Sequence, residues 1–108
     1  MKFLCLAYGD GKDWEVLSKT EQAELLAQDD LLMKRGGILA TLGPATTVRA
    51  WDGTPVTASG PYARTELPLV GFSLIEARDL EEAIALVSKT PCAVAKGVIE
   101  VWPVRTLD

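Results

Sequence analysis

The sequence predicts an α+β fold: a ferredoxin-like split βαβ sandwich with an added central hairpin, in a single domain over residues 1–108. Three observations predict it. Strand-like and helix-like stretches alternate as β-α-β, hairpin, β-α-β. Two helix-start signals, Ser18 with Glu21 and Asp79 with Glu82, place one helix in each half. Between the halves, Asp52-Gly53 marks a tight reversal, because both central positions of a two-residue hairpin turn need positive φ.

Residues 2–8 are apolar, β-rich and bounded by Gly9-Asp10, which predicts a buried first strand. The Ser18–Glu21 capping box predicts a helix running to about Arg35 and stopping at Gly36-Gly37. Residues 38–42 and 46–51 then form one long or bulged strand, broken at Gly43-Pro44 because proline has no amide to donate. After the Asp52-Gly53 turn, residues 54–58 return as an edge strand, and residues 59–68, with one glycine and two prolines, form a long loop. Strand character resumes over residues 70–77. The second helix starts at Asp79 with Leu80, Ala83, Ile84 and Val87 as its apolar stripe, and Thr90-Pro91 ends it. Residues 97–104 supply the last strand. Two helices cover one face of such a sheet, so the other face, including Val98, Glu100 and Trp102, needs a cover of its own. A homodimer is the expected one.

Composition narrows the functions available. With 11 basic and 15 acidic residues the net charge is −4, which lacks the basic footprint of nucleic-acid binding. Histidine is absent, which removes the Ser/His and Cys/His nucleophile pairs and the commonest metal ligand. Cys5 and Cys92 have no CxxC spacing, so no zinc or thioredoxin-like motif is expected, and free thiols suit a reducing cytoplasm better than a Cys5–Cys92 disulfide. The N-terminal apolar run is too short for an export signal, and no stretch reads as a membrane span. Gly9-Asp10-Gly11-Lys12 lacks phosphate-loop spacing, and Asp10, Asp13 and Glu15 lack a calcium-loop pattern. No cofactor and no metal are therefore expected.

Several short motifs recur in one order: Thr46-Thr47-Val48-Arg49, Asp52-Gly53, Ser59-Gly60-Pro61-Tyr62-Ala63-Arg64-Thr65-Glu66, Gly71-Phe72 and Ile99-Glu100-Val101-Trp102-Pro103-Val104. In this the chain resembles the YCII-related family, and in particular its DGPF branch, over nearly its whole length. The resemblance implies a dimeric α/β-barrel assembly of two ferredoxin-like protomers. It also implies kinship with small-molecule lyases and dehydrochlorinases that use a His/Asp pair, or with proteins that accompany sigma factors. The chain departs from the pattern at informative places. Ser59 stands where the naming Asp would be, Tyr62 where its Phe would be, Thr90 where a His commonly precedes proline, and Trp102 where an Arg precedes Pro103. A histidine-based mechanism does not carry over.

Two carboxylates are the candidate catalytic groups. On a helical wheel Asp29 falls within the stripe formed by Leu25, Leu26, Leu32 and Met33, where it is either a pocket acid with a raised pKa or exposed because the helix breaks at Asp29-Asp30. Glu100 leaves the last strand on the face opposite Ile99 and Val101, where it is either an acid/base in a cleft or half of an interface ion pair with Arg49 or Arg105. Trp102 walls that cleft. The candidate ligand-binding residues of the loop are Ser59, Tyr62, Arg64 and Thr65, with Arg64 placed to hold a substrate carboxylate; the alternative is a solvated loop. The expected activity is binding of a small, polar or anionic organic molecule, with proton abstraction or elimination as the permitted chemistry. A non-enzymatic interaction or regulatory module, of the sigma-factor-associated kind, is the alternative.

Overall fold

Alternation along the first strand sets the two faces of the molecule. In the computed structural model, which describes residues 1–35 and 37–107, strand β1 (Lys2–Tyr8) buries Phe3 and Cys5 on one side and turns Leu4, Leu6 and Tyr8 to the other. Five further strands follow: β2 (Ile38–Thr41), β3 (Thr46–Arg49), β4 (Val56–Ser59), β5 (Leu69–Glu76) and β6 (Val98–Pro103). β1, β2, β5 and β6 make one antiparallel sheet in the order β2-β5-β1-β6, while β3 and β4 pair only with each other. This mixed α+β arrangement, antiparallel throughout with both helical crossovers skipping a strand, is compatible with a ferredoxin-like sandwich.

Among the described residues four helices connect these strands: α1 (Gly11–Glu15), α2 (Lys19–Lys34), α3 (Leu80–Val87) and α4 (Pro91–Val94). The start of α2 is the capping box read from the sequence. Ser18 Oγ accepts from the Glu21 amide at 3.0 Å, and Glu21 accepts from the Ser18 amide at 2.9 Å. Of the expected Gly36-Gly37 stop, Gly36 lies outside the described residues. Gly37 is constrained, since a Cβ there would sit 2.9 Å from the Leu74 carbonyl oxygen. At α3 the box is displaced by one residue. Asp79 accepts from the Glu82 amide, but Glu82 reaches past the cap to the Arg78 amide and bonds Arg35 at 2.9 Å, tying the end of α2 to the start of α3.

Four expectations need correction. Residues 38–51 are not one bulged strand: β2 belongs to the main sheet and β3 to a separate hairpin, because the 42–45 linker with Pro44 breaks the ladder completely. The hairpin turn spans residues 50–55 rather than two, with Gly53 at φ 89° and Asp52 accepting from the Thr54 amide. Thr90-Pro91 does end α3, but it also starts α4, since proline's fixed φ and missing amide suit the first turn of a helix. The α3 stripe is rotated: Ala83 and Val87 are buried with Leu86 packed on them, whereas Leu80 and Ile84 are half exposed.

The core lies between the sheet and the helices. Phe3, Cys5 and Ile75 from the sheet meet Leu32 of α2 and Ala83 and Val87 of α3. Between α4 and β6, Lys96 takes a left-handed conformation at φ 59°. Replacing Lys96 with glycine should therefore raise stability by about 1 kcal/mol, measured by urea denaturation, because a Cβ in this region costs about that much.

Candidate functional site

Tyr8 ends β1 and Glu100 lies on β6, 92 positions later. The β1–β6 register pairs Tyr8 with Val98 and Leu6 with Glu100, so both side chains leave the sheet on the face without helices. There the Tyr8 hydroxyl donates to Glu100 Oε1 at 2.8 Å. That bond, which favours the protonated phenol beside a carboxylate, raises the Tyr8 pKa, with burial adding to it. The pair opens on a cleft of about 180 Å³ whose other wall is Thr65, Glu66 and Leu67, from the loop before β5. Thr65 folds its hydroxyl back onto the Leu67 carbonyl, which fixes the loop's turn. Trp102, half exposed, is two residues from Glu100 on the same face.

Asp29 is elsewhere. α2 continues through Asp29-Asp30 without a break, and its inward face is Gln22, Leu25, Asp29 and Leu32, while Leu26 and Met33 are half exposed. The Asp29 carboxyl is half-buried and lines a cavity of about 130 Å³ between the helices and the sheet, with Cys5, Ser73, Thr90, Cys92 and Ile99 among its walls. Burial, reinforced by the neighbouring charge of Asp30, raises its pKa to about 6. Cys92 packs against the backbone of Gly9, where a Cβ would come 3.3 Å from its Sγ. Its pKa is raised by burial and then by the Asp29 charge. Cys5 and Cys92 are both free thiols.

Two measurements follow from Asp29. A raised carboxyl pKa means that the folded state holds a proton the unfolded chain has released, so the associated stability is present below about pH 4 and lost as pH rises through about 6. Asp29→Asn should flatten that fall and leave the variant about 1 kcal/mol more stable than wild type at neutral pH, after allowance for solvent screening of a half-exposed group. Chemical denaturation across the pH range checks it. The same substitution removes the charge that opposes the Cys92 thiolate, so iodoacetamide should alkylate Cys92 several-fold faster in Asp29→Asn near pH 8.

The structure thus brings Glu100 and Thr65 together, with Trp102 on the same face, and puts Asp29 on the opposite side of the sheet, so the two carboxylates cannot serve one reacting centre. The other loop residues do not join the cleft. Ser59 ends the exposed strand β4, and Arg64 lines neither opening. Tyr62 is 82% exposed and instead flanks Arg49, whose guanidinium lies 5.1 Å from the Trp51 ring and 5.8 Å from the Tyr62 ring. Tyr8 is the group that the sequence does not single out. Its position at the strand end bounded by Gly9-Asp10 was the available signal.

Among the described residues no cluster of three or more acidic or thiol side chains could hold a metal ion, and no helix is long and apolar enough to cross a membrane. A comparison with curated proteins finds an uncharacterised protein of Rhizobium meliloti (strain 1021), 28% identical over 93 residues that span 78% of this chain and 75% of the relative. The model of the YCII-related domain matches residues 1–108, so the chain belongs to the YCII-related family.

Proposed function

We propose that this protein is a cytoplasmic homodimer of the family's DGPF branch that binds a small polar organic molecule in the Tyr8–Glu100 cleft. The two sheets would face each other as a dimeric α/β barrel. The observation that carries this reading is the 2.8 Å hydrogen bond between the Tyr8 hydroxyl and Glu100, set in a cleft beside a loop. A carboxylate already engaged with a phenol is placed to accept a substrate proton while the phenol holds an adjacent oxygen, as lyase or isomerase chemistry requires. The lining includes two acids, Glu66 and Glu100, and no cationic side chain, which favours a neutral, hydroxyl-bearing ligand over the anionic one expected from Arg64.

A thermal-shift screen of phenols, sugars and small carboxylic acids tests the reading. A hydroxyl-bearing hit should raise the midpoint in wild type, with the rise lost in Glu100→Gln and reduced in Tyr8→Phe. A hit that stabilises all three chains equally defeats it. The alternative, a non-enzymatic interaction module, has one observation in its favour: the β3–β4 hairpin and the loop after it expose Val48, Trp51, Val56 and Tyr62. Under that alternative, substitution of Trp51 abolishes a stable protein complex while the cleft variants leave it intact.

A further inference from the structure

We infer that the cavity beneath the helices is a second binding site, for a small organic ammonium ion whose alkyl part fills the apolar space and whose charge pairs with Asp29. It is separate from the Tyr8–Glu100 cleft, being on the other side of the sheet. Its size is suitable. A cavity of roughly 150 Å³ holds a benzene molecule, so the space here, about 130 Å³, takes an organic ion of about five heavy atoms.

The wall chemistry selects the ion. Leu32, Val87 and Ile99 give an apolar surface. The Thr90 hydroxyl is already spent on the Val87 carbonyl at 2.6 Å. Among the described residues, the Asp29 carboxylate makes no hydrogen bond or ion pair. The ionisable groups around it are Asp30 on its own helix, Cys5 on β1 and Cys92 on α4, and no Lys or Arg lines the space. A half-buried anion with only acidic neighbours lacks a cation, and a carboxylate ligand would be repelled. Because burial and Asp30 hold the Asp29 carboxyl up to about 6, the site is charged above neutral pH, half charged near pH 6 and mostly neutral near pH 5.

Isobutylammonium is a suitable probe, followed by amide chemical shifts of the ¹⁵N-labelled chain. At about pH 7.5, saturable shifts are expected at Asp29, Leu32, Thr90 and Cys92, with affinity at least tenfold weaker in Asp29→Asn, weaker in wild type at about pH 5, and unchanged in Glu100→Gln. Isobutanol, with the same shape and no charge, should bind at least tenfold less. The inference is overturned if shifts are absent at millimolar ammonium or cluster around Glu66 and Glu100. Equal binding to Asp29→Asn, or equal binding of isobutanol, overturns it too. Since Glu100→Gln separates the two sites, failure here leaves the cleft reading untouched.

Discussion

Alanine in place of Gly97 should cost the fold about 4 kcal/mol, the largest effect among the described glycines. A Cβ at this position would lie 2.3 Å from the Tyr8 carbonyl oxygen and 2.4 Å from the Cys92 carbonyl oxygen. Both obstacles are backbone. Tyr8 is fixed by the β1–β6 ladder, where it faces Val98, and Cys92 belongs to α4. Relief therefore means moving β6 away from β1 or lifting α4 off the sheet, and either movement disturbs both openings at once. The first carries Glu100 away from Tyr8, and the second opens the cavity beside Cys92. For a domain of this size the midpoint should fall by roughly 20 °C. Gly11→Ala is the control, since a Cβ there meets nothing within 4 Å. A fall of only a few degrees in Gly97→Ala would mean that the α4–β6 junction yields to the added methyl group.

What could be read from the sequence was what depends on neighbours in the chain. Ser18 and Glu21 are three residues apart and their hydrogen bonds are local, so the start of α2 was fully legible. The inward position of Asp29 followed from helical spacing alone. Whether the helix survives the Asp29-Asp30 pair did not, because that depends on Leu32 being gripped by Phe3, Ile75 and the other core residues from elements far away in sequence. The Tyr8–Glu100 bond illustrates the same limit. Each residue could be assigned a face by alternation, but which residues face each other across β1 and β6 is set by a pairing register that no local pattern encodes. Pro91 was ambiguous for a different reason, since the same residue that stops one helix is well suited to the first turn of the next. The placement of Arg64 outside both openings was not legible either, because the loop's turn rests on contacts such as Thr65 to Leu67.

Glutamate in place of Leu74 should convert the proposed homodimer into a single chain. The strand registers place Ile38, Leu74, Leu4 and Trp102 in one row across all four strands, on the face that carries no helix, with Phe72, Leu6 and Val98 beside them. Ile38, Val98 and Trp102 are each more than half exposed. A row of this length left to water is the kind of apolar surface that monomers rarely carry, and in the proposed dimer a twofold-related copy would bury it with its own like. If it does, each Leu74→Glu protomer brings an unpaired carboxylate into the interface at a cost of about 3 kcal/mol, and two of them raise the dissociation constant by at least a thousandfold. Sedimentation equilibrium at micromolar concentration checks this, with Leu31→Glu as control: Leu31 is 53% exposed on the outer side of α2, and its substitution should leave the particle size unchanged. A wild-type chain that sediments as a monomer defeats the assembly outright. The Tyr8–Glu100 cleft opens on the same face, so enclosure by the second copy is what would exclude water from the pair. Ligand-dependent stabilisation should therefore be lost in Leu74→Glu although Glu100 is untouched, and its persistence in the monomer would mean that one protomer completes the site alone.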